Sequence, residues 1–143
     1  MNENKFKITF LSLSENEGFA RSVVSYFILN LNPSVADISD VKTAVSEAVT
    51  NCIVHGYPNK VGEITIECEI NADKELHIKI KDEGIGIDNL ENALEPFYTT
   101  KNDEERSGMG FTIMKSFMDD VHVFSQKNKG TEVIMTKKFV SEQ

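Results

Sequence analysis

Tryptophan is absent from this 143-residue sequence, proline occurs three times, cysteine twice, and arginine only as Arg21 and Arg106. Two cysteines, Cys52 and Cys68, with no C-x-x-C pair argue against a disulfide framework or a zinc site. Each sits in an apolar pattern and is expected to be a buried, inert thiol. Cationic residues are scarce: 15 Lys+Arg face 23 Asp+Glu, a net charge of −8. That balance weighs against general nucleic-acid binding, which rests on cationic contacts with phosphates. No apolar run approaches the ~20 residues that a membrane helix needs, and residues Met1 to Lys7 lack the apolar stretch of a secretory signal. These absences lead to the expectation of a cytoplasmic protein with neither nucleic acid nor membrane as partner. The composition is 40% hydrophobic and 27% charged, ordinary for a globular domain. A chain of this length buries roughly 68–70% of its unfolded surface, enough for a core without metal or disulfide. One domain over residues 1–143 is expected.

The hydrophobic pattern divides the chain into elements. Lys5 to Leu13 alternates, with Phe6, Ile8 and Phe10 in phase, and reads as a strand. Asn16 to Leu31 reads as an amphipathic helix that closes before Asn32-Pro33. A second helix is expected from about Ser39 to His55, where Val41, Ala44, Val45, Ala48, Val49 and Cys52 follow the helical period. Gly56-Tyr57-Pro58-Asn59 stops it. Two strands follow, Glu63 to Ile70 and Leu76 to Asp82, joined by Asn71-Ala72-Asp73-Lys74. Residues 83–110 form a long irregular stretch with a short helix near Asn89 to Leu94. Such stretches inside compact domains are usually functional or disordered. A helix from Phe111 to Met118, a strand from Val121 to Ser125, a turn at Asn128-Lys129-Gly130 and a strand from Thr131 to Phe139 complete the chain. This order is an α+β pattern, with neighbouring strands antiparallel and helices on one face.

Three places break the pattern. Glu47, Asn51 and His55 lie four residues apart, and each step rises ~6 Å and turns ~40°. A carboxylate, an amide and an imidazole thus line one flank of the second helix. They suit a polar ligand or metal, although spacing alone favours a solvated flank. Asp82 takes the position where the phase of Leu76, Ile78 and Ile80 calls for another hydrophobe. A carboxylate on the core side is costly unless something hydrogen-bonds to it; an Asx-type turn ending the strand is the other reading. Gly84 and Gly86 follow, where the backbone can turn sharply or approach a ligand. Thr131 is likewise in phase with apolar Val133 and Met135, either by function or as an ordinary strand threonine. Finally, Arg106-Ser107-Gly108-Met109-Gly110 precedes a helix, where free N–H groups and the helix dipole favour an anion. Neither a P-loop nor a Rossmann fingerprint is present. A flexible surface loop stays open as an alternative.

Taken in order, Glu47-x-x-x-Asn51-x-x-x-His55, Asp82-x-Gly84-x-Gly86, Glu95-Pro96-Phe97-Tyr98-Thr99-Thr100-Lys101, Gly108-x-Gly110-Phe111 and Gly130-Thr131 resemble the boxes of the GHKL ATPases and kinases. The resemblance spans residues 47–131. It implies the Bergerat fold, a two-layer sandwich with a mixed, mostly antiparallel sheet and helices on one face. ATP would lie between helices and a mobile lid over about Tyr98 to Ser107. By that resemblance Asn51 ligates Mg²⁺, and Asp82 accepts a hydrogen bond from the adenine amino group. Thr131 helps hold the adenine edge, Gly84 and Gly86 let the backbone close on the nucleotide, and Gly108 and Gly110 offer N–H groups to the phosphates. His55, Thr100, Lys101, Ser107 and Met109 complete the nucleotide contacts. Glu47 is the expected base and Arg106 the group that stabilises charge on the γ-phosphoryl oxygens.

No length remains for the phosphoacceptor domain of a sensor histidine kinase or the transducer domain of a gyrase-type ATPase. The chain is similar to the serine-kinase branch, the anti-sigma factors. That implies a sporulation sigma factor as partner, an anti-anti-sigma protein phosphorylated on serine, a homodimer, and Arg21 as a partner contact. The alternatives are a catalytically silent nucleotide-dependent binding module and a detached histidine-kinase catalytic domain.

Overall fold

In the computed structural model, which describes residues 3–87 and 110–139, five strands form one sheet in the order β1-β2-β3-β5-β4. They are β1 (Asn4–Leu11), β2 (Glu63–Ile70), β3 (Glu75–Asp82), β4 (Asp120–Gln126) and β5 (Gly130–Lys138). The expected mixed, mostly antiparallel sheet is antiparallel at each described pairing. Sequence neighbours pair except at one point: β5 inserts between β3 and β4 and so places Thr131 opposite Asp82. The expected helix over residues 89–94 and the lid over 98–107 lie outside the described residues.

Alternation along the strands builds the core. Ile64, Ile66, Cys68 and Ile70 of β2, with Leu76, Ile78 and Ile80 of β3, are all buried on one face. Full burial of such a side chain contributes about 1.5–3 kcal/mol, so a one-residue slip of register would expose the whole set and is strongly disfavoured. The opposite face carries cross-strand charge pairs, with Lys5 opposite Glu69 and Lys7 opposite Glu67, and Glu67 in turn opposite Lys79. Opposite charges at such positions each add a few tenths of a kcal/mol.

Helices α1 (Asn16–Phe27), α2 (Val35–Asn51) and α3 (Gly110–Phe117) bury their apolar stripes in the same core cluster as the strands. Two helical expectations change in detail. The first helix tightens into a 3-10 turn over Ile28–Leu31 and stops at left-handed Asn32, φ 54°. The second begins at Val35 rather than near Ser39. Ser34 and Asp37 form a capping box: Ser34 Oγ accepts from Asp37 N at 3.0 Å, and Asp37 Oδ2 accepts from Ser34 N at 3.2 Å. Two otherwise unsatisfied amide groups thereby gain acceptors, which makes this a favourable place to start a helix. Beyond Asn51 the chain widens into a π turn over Cys52–Gly56, closed by Tyr57 N donating to Cys52 O at 3.0 Å. Turns of this kind often sit at functional sites.

Candidate functional site

The end of β3 meets that π turn. Asp82 is only 3% exposed, so the strand's alternation carries a carboxylate onto the helix-side face. Its Oδ1 accepts the N–H of Gly84 at 2.9 Å and of Thr131 at 3.2 Å. The Cys52 thiol adjoins the carboxylate and favours its charged form. Burial pushes the Asp82 pKa up, and the two amides and the thiol oppose that rise by favouring the charged form. Burial also pushes the Cys52 thiol well up, with the neighbouring Asp82 charge adding to it. The Cys68 thiol is pushed up to about 12 by burial. Both cysteines are the buried free thiols the sequence implies, but Cys52 has the additional place beside Asp82.

Close backbone approach explains two glycines. A Cβ on Gly84 would lie 1.9 Å from the Gly56 carbonyl oxygen, the same oxygen that accepts Ile85 N–H at 3.0 Å. Gly130 has φ +90°, and a Cβ there would lie 2.2 Å from the Asp82 carbonyl oxygen. Only glycine fits either position without moving the backbone. Gly86 also takes a positive φ, 75°, at the turn towards Ile87. The segment 83–87 is therefore pinned between the π turn and the β4–β5 hairpin.

Three residues of this constellation escape a reading of the sequence motifs. Tyr57, read there as part of a helix stop, is buried, donates its hydroxyl to Glu63 O at 2.7 Å and accepts Glu83 N–H at 2.7 Å. It ties the start of β2 to the start of the glycine segment. Ser125 lies opposite Thr131, and their hydroxyls are 2.8 Å apart. A signal for Ser125 does exist: it falls in phase with Val121 and Val123, as Asp82 and Thr131 fall in phase with their own apolar rows. Cys52, an apolar-stripe residue by periodicity, is the third.

The other half of the candidate site lies on α2. Glu47, Asn51 and His55 are all half-buried. Glu47 and Asn51 remain in regular helix, while His55 falls inside the π turn, so the even four-residue spacing is broken at the third member. Glu47 lines a concavity of ≈ 450 Å³ together with Arg21 of α1 and Ser39, Lys42, Thr43 and Ser46 of α2. Arg21 Nη1 pairs with Glu17 Oε2 at 3.2 Å, and Ser46 donates its hydroxyl to the same Glu17 oxygen. Arg21 and Glu47, remote in sequence, thus share one surface.

Gly110, the last residue of the second glycine box, is buried and opens α3, where the first N–H groups of a helix have no intrahelical acceptor. Thr100, Lys101, Arg106, Ser107, Gly108 and Met109 lie outside the described residues. Among the described residues no group of three or more His, Cys, Asp or Glu side chains is arranged to hold a metal. Mg²⁺ does not require one: it commonly takes one or two protein oxygens, with phosphates and water completing its shell. The Asn51 amide oxygen fits such a role. Among the described residues no helix is long and apolar enough to cross a membrane.

The histidine kinase-like ATPase domain family matches residues 12–137. The anti-sigma F factor of Clostridium acetobutylicum is 58% identical over 97% of this chain and 96% of that protein. That of Clostridium beijerinckii is 56% identical over 97% of each, and that of a Thermoanaerobacter species 52% identical over 98% of this chain and 97% of the relative. Among solved structures, the RsbU and RsbW domains of a Mycobacterium tuberculosis protein align with TM-score 0.70 and 17% identity, over 95% of this chain and 32% of that one. The catalytic domain of the histidine kinase ThkA aligns with TM-score 0.59 and 18% identity, over 97% of each chain. These two likenesses concern the fold.

Proposed function

We propose, for a chain that belongs to the histidine kinase-like ATPase family and within it to the anti-sigma F factors, that it sequesters a sporulation sigma factor, sigma F, when ATP is bound and phosphorylates a serine of its anti-anti-sigma antagonist. The family implies ATP binding. The observation that carries the reading is Asp82: a buried carboxylate held by two backbone N–H groups on the helix-side face. A fixed acceptor removed from water is what selective recognition of an exocyclic amine requires.

In this reading residues 1–143 act as one domain. Asp82 accepts the adenine amino group, and Thr131 holds the adjoining edge. Gly84 and Gly86 give the backbone its approach, and His55, Thr100, Lys101, Ser107, Gly108, Met109 and Gly110 surround the rest of the nucleotide. Asn51 holds Mg²⁺, which when bound neutralises charge on the phosphates. Glu47 orients the antagonist's serine hydroxyl and accepts its proton as the oxygen attacks the γ-phosphorus, with ADP leaving. Arg106 stabilises the charge on the γ-phosphoryl oxygens. The concavity shared by Arg21 and Glu47 supports a substrate that is a protein: a docked partner would meet Arg21 and bring its serine to Glu47 together. A homodimer presenting two such faces and acting in the cytoplasm completes the proposal.

The test is calorimetry with ATP and Mg²⁺, followed by transfer of labelled phosphate to the antagonist. Heat of association and an acid-stable phosphoserine are expected. Absence of ATP binding would remove the nucleotide reading. Binding without transfer would leave a silent module, and an acid-labile product would point to histidine-kinase chemistry.

A further inference from the structure

Asp82, Thr131 and Ser125 form one cross-strand row over β3, β5 and β4. The hydrogen bonds at the end of that row can be counted. A serine hydroxyl has one proton and two lone pairs. Ser125 Oγ accepts the Ile87 N–H at 2.8 Å. Its single proton then has two targets, the Gly130 carbonyl oxygen at 3.0 Å and Thr131 Oγ1 at 2.8 Å. If the proton goes to Gly130, Thr131 must donate to Ser125 and keeps only lone pairs for a ligand. If it goes to Thr131, the Thr131 proton is released to donate outward.

The two arrangements read different bases. Ionised Asp82 is an acceptor only. An acceptor at Thr131 beside it would suit an edge with two donors, such as the N1–H and amino group of guanine. A donor at Thr131 beside it suits a donor next to an acceptor, the amino group and N1 of adenine. We propose that Ser125 is a positioning residue for base selection: with nucleotide bound, it gives its proton to Thr131 Oγ1, so that Thr131 donates towards adenine N1, directly or through one water, while Asp82 accepts from the amino group. The inference rests on the reading of Asp82 and Thr131 as adenine contacts. The Ile87 N–H contributes by occupying one lone pair of Ser125 and fixing the oxygen in place, which couples the glycine segment to the same row.

The experiment compares ATP with 1-deaza-ATP, in which N1 is replaced by C–H, by calorimetry with Mg²⁺ on the full chain. The wild-type protein is expected to prefer ATP by roughly two- to tenfold, the worth of one hydrogen bond. Ser125→Ala should reduce that ratio without abolishing it, because Thr131 keeps its proton but loses the hydroxyl that orients it, and Ser125→Thr, which keeps the hydroxyl, should retain it. Loss of Ile87 anchoring alone would weaken both nucleotides in proportion, and an unchanged ratio in Ser125→Ala would overturn the proposal. So would a ratio of one in the wild type. Should Ser125→Ala not fold, Thr131→Val serves instead: its ratio should collapse, and a retained ratio overturns the proposal. Asp82→Asn separates this inference from its premise. Undiminished ATP binding in that variant overturns the adenine reading itself, and with it this proposal; weakened binding there alongside an unchanged Ser125→Ala ratio overturns the Ser125 assignment alone.

Discussion

Two carboxylates of this protein have the same charge chemistry and opposite surroundings. Asp82 ends a strand, is nearly out of contact with solvent, and spends one oxygen on two backbone N–H groups of fixed position. Glu47 sits on a helix flank, half-buried, at the wall of a concavity that also holds Arg21. Under the proposed function the contrast separates two jobs. A group that identifies a small ligand benefits from desolvation and rigid partners, because its hydrogen bond then competes less with water. A group that handles a proton for an arriving protein must be reachable from outside. Burial also has a cost visible in the same residue: the Asp82 pKa is raised, so the charged form that would accept from adenine is held against desolvation.

The contrast breaks most visibly at Glu47. Glu47→Ala should reduce serine phosphorylation by ~10²-fold or more while ATP affinity by calorimetry stays close to wild type; equal turnover by the two proteins would remove the base role. Asp82→Asn should do the reverse and act on binding. It is expected to weaken ATP by roughly ten- to a hundredfold, the loss associated with a hydrogen bond to a charged group.

The same variant sharpens the contrast through pH. With the folded-state pKa of Asp82 raised, the contribution of this group to stability is full below the ordinary aspartate range. It is lost as pH rises through the raised folded value. Asn cannot ionise and has no such loss. Urea unfolding should therefore show Asp82→Asn gaining on the wild type as pH goes from about 4 to about 7; a pH-independent difference would contradict the assignment. Arg21→Ala is the mildest case. About tenfold weaker binding of a protein partner is expected, typical of an interface arginine, with ATP affinity unaffected. Surface plasmon resonance with sigma factor and antagonist would measure it, and unchanged affinity for both would detach Arg21 from the docking face.

Periodicity alone carried much of this molecule. The alternation of Ile64, Ile66, Cys68 and Ile70 identifies a buried strand face. The break at Asp82 in the rhythm of Leu76, Ile78 and Ile80 marks a polar group placed against the core, because a period-2 strand leaves its side chain no other direction. The start of α2 just after Ser34 is legible in principle, since Ser34-x-x-Asp37 is a local capping pattern. The glycine boxes, and the order of all the boxes together, pointed to the family before any fold was in view.

What local rhythm does not contain is adjacency between distant segments. Insertion of β5 between β3 and β4 puts Thr131 beside both Asp82 and Ser125. The π turn after α2 brings Cys52 and Gly56 against that carboxylate, and Tyr57 bridges β2 to the glycine segment. The packing of α1 on α2 joins Arg21 to Glu47 across one concavity. Each of these depends on hydrogen bonds and packing between residues far apart in the chain. Residue spacing reports the face on which a side chain lies; the tertiary fold decides which other face it meets.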